Sequence, residues 1–397
     1  MQSFQAPHRI LMGPGPSDVS PRVLRALSQG TIGHLDPSFI KLMDEIKALL
    51  QYVFQTRNEL TIPVSAPGSS GMETCFMNLL EPGEEVLVCI NGVFGKRMAE
   101  VASRAGAVVT ELNFEWGDAV DAHRVNEALM ANPNITTLAF VHAETSTGVC
   151  SDVQALCEIA KRHNCLTIVD AVTSLGGCEL RVDQWGIDAV YSGTQKCLSC
   201  IPGLSPVSFS PAAVDKIRGR ASKNLSWFLD LNLVMDYWGG QAKRAYHHTA
   251  PVNSLYALHE ALLVVQEEGI ENAWSRHQQH HHALVAGLSA LGIEFLVPEN
   301  IRLPQLNAVK IPEGMDDAYI RSRLLEEFDL EIGAGLGKFA GQAWRIGLMG
   351  NGCNRQNVLH CVAALAQVLK SEGYDCDPQL ALRAVEQVYT PAMAVNA

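Results

Sequence analysis

Between residues 60 and 210, short apolar runs alternate with amphipathic stretches. Residues 60–64 (LTIPV), 84–90 (EEVLVCI), 108–112, 137–141, 166–169 (LTIV) and the DAVYS run at 188–192 are each of strand length. Apolarity that is continuous rather than alternating predicts strands buried on both faces. Between these runs lie a helix expected to begin at Met72, the stretch INGVFGKRMAEVASRAG, and a helix over 153–163. Strand and helix in alternation predict an α/β fold, a mainly parallel sheet covered by helices on both faces. Ahead of it, ILMGPGPSDVSPRVL reads as an extended arm leading into a helix, with Ser20 as N-cap and Pro21 in the first helical position. Phe39, Leu42, Met43, Ile46, Leu49 and Leu50 then recur at helical spacing after Asp36-Pro37. After residue 210 the alternation stops. Helices are expected over 255–268 and 274–291, and IEFLV, LNAVKI, a helix over 317–328, LEIGAGLGK, WRIGLMG and a helix over 355–370 make a smaller α+β unit. The expected organisation is an N-terminal arm (1–20), a large domain (21–255) and a small C-terminal domain (256–397).

The crevice beyond the carboxyl ends of parallel strands is the default ligand site, and two of the predicted ends carry Asp170 and, just after DAVYS, Lys196. Lys196 has no acid close to it in sequence and stands among Ser192, Thr194, Gln195, Leu198 and Ile201. Such surroundings lower a lysine pKa and free its amine for Schiff-base chemistry, and an acid that pairs with a protonated pyridine nitrogen is the second requirement of a pyridoxal-phosphate site. The glycine-bearing turn at Gly68, Ser69, Ser70 and Gly71 presents backbone N–H groups at a helix start, an arrangement suited to a phosphate. Phe94 is flanked by Gly92 and Gly95, so it can lie on a ring or plug the core. His142, Thr145 and Thr147 follow another strand and are expected to face the same crevice. Arg345 sits inside an apolar strand, where an unpaired guanidinium is costly, and a substrate carboxylate would satisfy its fork.

Other clusters read more plainly. His277, His280, His281 and His282 are expected on a solvated helix face, and the adjacent His247 and His248 lack the context of a zinc site. GAGLGK lacks the GxGxxG of a nucleotide loop, and it holds no cysteine nucleophile. The balance of 30 Lys+Arg against 42 Asp+Glu, a net charge of −12, argues against nucleic acid as a partner. No apolar run approaches spanning length and the N-terminus lacks a secretory pattern, so a protein away from the membrane, in the cytoplasm, is expected. Eleven cysteines, an odd number scattered through predicted strands and helices, read as reduced core residues, with packing the first reading of the Cys197/Cys200 CxxC, redox chemistry the second and metal the last.

Taken in order, LMGPGPS, YVFQTRN, INGVFGKR, HAETSTG, VDAVTSLGG, YSGTQK, YHHTAP, GLG and RIGLMG resemble the class V pyridoxal-phosphate aminotransferases, in particular the alanine:glyoxylate and serine:pyruvate branch. The resemblance covers nearly the whole chain. It implies fold type I, pyridoxal 5'-phosphate as cofactor, no metal, and a homodimer with the cofactor near the subunit interface. It implies amino transfer from alanine or serine to glyoxylate, with (S)-ureidoglycine as the alternative donor. Residue by residue, it makes Lys196 the Schiff-base lysine, Asp170 the partner of the pyridine nitrogen, Phe94 and Val172 the residues on the two faces of the ring, and Thr145 a hydroxyl beside it. Gly68, Ser69 and Gln195 correspond to phosphate-binding positions, and Tyr246 and Thr249 to phosphate contacts given by the neighbouring subunit. Arg345, with Gly33 and His34, corresponds to the substrate-binding set. Pro67 departs from the family's usual Ser or Thr at the phosphate turn. The tail DCDPQLALRAVEQVY is similar to the ureidoglycine branch, whereas His34 and Tyr246 are similar to the alanine/serine branch.

Overall fold

The computed structural model describes residues 1–239 and 244–390. Seven strands form the main sheet: β1 (Leu60–Val64), β2 (Glu85–Ile90), β3 (Val108–Asn113), β4 (Ile135–Val141), β5 (Leu166–Asp170), β6 (Ala189–Tyr191) and β7 (Ser205–Phe209). Their order across the sheet is β1-β7-β6-β5-β4-β2-β3. All neighbours run parallel except β7, which is antiparallel to both β1 and β6. The connection from β6 to β7, residues 192–204, contains no helix. A parallel return needs a crossover long enough to span the sheet, so this loop reverses the chain and leaves Lys196 at the sheet rim.

Local sequence chemistry sets the helices around the sheet. Ser20 accepts from the Val23 N–H at 3.3 Å ahead of Pro21, and Asp36 accepts from Ser38 N–H at 2.7 Å ahead of Pro37, as the pattern predicts. The helix expected from Met72 begins earlier, at Gly68, because Pro67 holds an extended conformation at its N-cap. The helix expected over 274–291 runs Ile270–Ala290, starting directly after Gly269, whose φ is +86°.

One apolar core joins both faces of the large sheet and extends to Val265 and Ile270, so the helix Val252–Glu268 packs on it. A second core contains Met12, Leu284, Trp344, Ile346 and Leu365. It lies under a three-stranded antiparallel sheet of Leu306–Lys310, Ala343–Gly347 and Gly333–Ala334. The N-terminal arm is stitched to both. Ile10 and Leu11 pair in parallel with Leu330 and Glu331. Further along, Ser17 donates from its N–H to Gln195 O at 2.8 Å and from Oγ to Lys196 O at 2.6 Å.

The histidine run corrects the sequence expectation. Only His282 is exposed, while His277, His280 and His281 are buried. They fall on the same inward stripe as Leu284 and Leu288. His277 donates from Nδ1 to Ala273 O at 2.7 Å and accepts the Gly350 N–H on Nε2 at 2.9 Å. His280 Nδ1 meets the Tyr389 hydroxyl at 2.7 Å, and His281 Nδ1 donates to Asn307 Oδ1 at 2.7 Å. These partners make burial tolerable for imidazole. Among the described residues, no helix is long and apolar enough to cross a membrane.

Candidate active site

Asp170 closes β5, and its carboxylate is clamped from two sides. The Tyr191 hydroxyl donates to Oδ2 at 2.7 Å and the Val172 N–H to Oδ1 at 2.8 Å. Burial pushes its pKa up to about 6, opposed by those two hydrogen bonds and by the charges of Lys196 and Arg97. Lys196, in the loop after β6, donates from Nζ to the Pro14 carbonyl. Burial, assisted by the positive Arg345, brings its amine down to about 8. The arm makes room for this side chain at Gly15, where φ is +104° and a Cβ would lie 2.8 Å from both Cδ and Nζ of Lys196.

Both groups open on a cavity of about 170 Å³. Gly68, Ser69, Phe94, Thr145, Val172 and Gln195 line it too, so eight residues selected from the sequence meet in one place. Gly68 and Ser69 supply the first turn of the helix Gly68–Leu79, facing the cavity from beyond β1. The remaining selections lie outside its lining. Arg345 is tied to it through Thr145: Nη1 donates to the Thr145 carbonyl at 3.2 Å and Nε to the Ala334 carbonyl at 2.7 Å. The His34 and Tyr246 rings are 5.4 Å apart, and Tyr246 and Thr249 are exposed. Gly33 caps the turn before the long helix by accepting the Asp36 N–H at 2.9 Å. His142, expected to face the crevice, does not line the cavity; its ring sits edge-on to Trp185 and beside Cys150 and Cys178. The cause is its place one residue past β4, where its N–H is held by the Asp170 carbonyl at 3.0 Å.

Besides the Tyr191 hydroxyl that clamps Asp170, two residues with acid or base side chains escaped sequence reasoning. Arg97 lines the cavity, lies 5.0 Å over the Phe94 ring and donates to Ser69 Oγ at 3.4 Å. Its spacing of three from Phe94 on one helix was the available signal. Glu144 is fully buried and accepts from the N–H groups of Phe94 (3.1 Å), Gly95 (3.3 Å) and Ser146 (3.1 Å) and from Ser146 Oγ at 2.5 Å. It therefore pins the start of the helix that carries Phe94 and Arg97. A Cβ at Gly92 would lie 2.4 Å from Glu144 Cδ, which accounts for that glycine.

A phosphorylated pyridine fits this donor set. The helix start at Gly68 and Ser69 with Arg97 suits the phosphate, and Gln195 Oε1 is buried without a hydrogen-bond partner at the same wall. The profile of the family described as aminotransferase class-V matches residues 13–339. The chain belongs to the class V aminotransferases. That family uses pyridoxal phosphate. Rat alanine–glyoxylate aminotransferase is 42% identical over 366 residues, covering 92% of this chain and 88% of that one. The structure of alanine–glyoxylate aminotransferase from Nostoc superposes with a TM-score of 0.91 at 44% identity, over 93% of this chain and 97% of that one. Ureidoglycine–glyoxylate aminotransferase from Bacillus subtilis reaches 0.95 at 38% identity, over 98% and 100%. The class V chain thus has the fold type I architecture expected from its sequence, with a mainly parallel seven-stranded sheet and a small antiparallel one.

Proposed function

We propose that this aminotransferase moves the amino group of a small amino acid, alanine or serine, to glyoxylate, giving a 2-keto acid and glycine. The observation that carries the reading is the buried Lys196 amine, brought to about 8, opening on one cavity with the clamped Asp170 carboxylate. Pyridoxal phosphate, bound there, supplies the electron withdrawal that makes a substrate Cα–H acidic. At a pKa of about 8 a useful fraction of Lys196 is neutral near pH 7, so its Nζ can take a proton from Cα and return it. Asp170, held by Tyr191 and Val172, keeps a proton on the ring nitrogen. Phe94 and Val172 would enclose the ring, with Thr145 beside it, and Gly68, Ser69 and Gln195 would hold the phosphate. Arg345, its plane fixed by two backbone carbonyls, is the carboxylate fork, with Gly33 and His34 near the substrate.

The site reading includes a homodimer in which the partner's Tyr246 and Thr249 reach the cofactor phosphate. Support comes from Leu225, Trp227, Phe228, Leu233 and Tyr246, large apolar side chains left exposed in one part of the chain, together with Ile32 and Leu35. The division into residues 1–20, 21–255 and 256–397 is likewise a proposal, supported by the two cores, with the connecting helix still packed on the large one. A second donor, (S)-ureidoglycine, is favoured by the close full-length match to the Bacillus subtilis enzyme. A screen of alanine, serine and ureidoglycine with glyoxylate, reading kcat/KM for each, decides. A wide preference for ureidoglycine would overturn the alanine or serine assignment.

A further inference from the structure

His142, left outside the cavity, belongs to another cluster. One ring nitrogen of His142 and the Sγ atoms of Cys150 and Cys178 all lie within 4.8 Å of one another. His142 is 3% exposed and its Nδ1 has no hydrogen-bond partner. Gln305, fully buried, sets its amide beside the Cys178 thiol, where a hydrogen bond from the amide favours the thiolate. Gly177, next to Cys178, leaves room for it, since a Cβ there would lie 2.4 Å from Gln305 Nε2. A buried ring nitrogen left unsatisfied beside two thiols calls for a ligand that accepts lone pairs rather than for more packing. The geometry points to a structural zinc-class cation held by His142 Nδ1 or Nε2, Cys150 Sγ and Cys178 Sγ, with the Gln305 amide, turned over to present its oxygen, as fourth donor.

One nitrogen and two thiolates are the donors that divalent zinc takes in closed tetrahedral sites. Bonds of about 2.0–2.3 Å put such ligands roughly 3.3–3.8 Å apart, so the cluster has to close by at most about 1.5 Å. Binding releases the two thiol protons to solvent, and the two thiolates then neutralise the dication. Cys178 also lines an open groove of about 720 Å³ beside Trp274 and Gln278, which gives the ion a way in. The three ligands come from the residue after β4, from the hairpin strand Val149–Cys150, and from the loop after Asp170. The cation would therefore staple the hairpin bearing Thr145 to the segment bearing Asp170, outside the reaction itself.

The test uses the reduced, cofactor-loaded full chain, freed of metal by chelator dialysis and titrated with Co²⁺ and then Zn²⁺. One Co²⁺ per chain with the visible bands of a tetrahedral thiolate site, displaced by one Zn²⁺, is expected. Cys150→Ser with Cys178→Ser should abolish these bands, His142→Gln should weaken binding by at least about 100-fold, and Cys376→Ser should leave both unchanged. On the unsubstituted protein, Zn²⁺ should protect Cys150 and Cys178 from alkylation as read by mass spectrometry, which keeps the test open should the double variant misfold. No stoichiometric uptake, an octahedral spectrum, bands that survive the double substitution, or unprotected thiols would overturn the proposal. So would a Cys150–Cys178 disulfide in protein that takes up no metal, which would make the pair a redox device instead.

Discussion

Replacing Glu144 by Gln isolates a buried charge whose effect on stability has a definite sign. Burial lifts this carboxyl from its ordinary 4.5 to about 7, against the hydrogen bonds from Ser146 and Gly95 that favour the anion. The unfolded chain gives up the proton near pH 4.5, whereas the folded chain keeps it until about pH 7. Between those values the folded state binds more protons, so stability falls as pH rises. A gap of about 2.5 pH units at about 1.4 kcal/mol for each corresponds to about 3.5 kcal/mol, undiminished by solvent because the group is fully buried. The glutamine variant has no such proton. It turns an amide N–H₂ towards the N–H donors of Phe94 and Gly95 or of Ser146, and should lose about 1–3 kcal/mol at pH 5. The two effects oppose each other above pH 7, where the variant should regain most of its deficit. Urea unfolding of both proteins at pH 5, 6, 7 and 8 gives the difference directly, and the smaller contribution of the same sign from Asp170 largely cancels in it. A stability difference that stays flat from pH 5 to pH 8 would refute the reasoning.

Lys196→Ala should abolish multiple-turnover transamination, and borohydride reduction of the unsubstituted enzyme should fix the cofactor on the peptide containing Lys196; label on another lysine would sink the assignment. Asp170→Asn should keep some cofactor and lose about 100-fold or more in kcat, because a neutral amide does not stabilise a pyridinium, and near-normal turnover would remove Asp170 from that role. Gly15→Ala should cost about 1–3 kcal/mol of backbone strain and displace the lysine tip, lowering both the melting temperature and the cofactor absorbance at fixed cofactor concentration. Arg345→Lys should raise KM for every α-carboxylate substrate, donors and glyoxylate alike, whereas His34→Gln with Tyr246→Asn should change the ranking of donors and spare glyoxylate.

The strand-end chemistry was legible because it depends on short-range pattern. A strand buried on both faces is a run of apolar residues, its last residue is fixed by where that run stops, and Asp170 and Lys196 were found in this way. The N-caps at Ser20 and Asp36 are equally local. What escaped was the burial of polar side chains, which depends on partners far along the chain. Glu144 is one polar residue among several in HAETSTG, yet besides Ser146 its hydrogen-bond donors are Phe94 and Gly95, about fifty positions earlier. His277, His280 and His281 read as a wet face because imidazole is polar, and are buried because Gly350, Tyr389 and Asn307 supply partners.

The site's three charged groups separate along the same line. Asp170 draws one clamp from Val172, two residues away, and the other from Tyr191 on the adjacent strand, so its geometry follows once β5 and β6 pair. Arg345 is placed by Ala334 and Thr145, the latter two hundred positions away, and Lys196 by an arm that begins the chain. That arm pairs with Leu330 and Glu331, passes Gly15 under the lysine and then holds the lysine's backbone through Ser17. Folding of the second core therefore bears on the Lys196 amine through a few residues of extended chain. Substitutions at Met12, remote from the cavity and fully buried in that core, should weaken the hold on the lysine before they expose the large sheet.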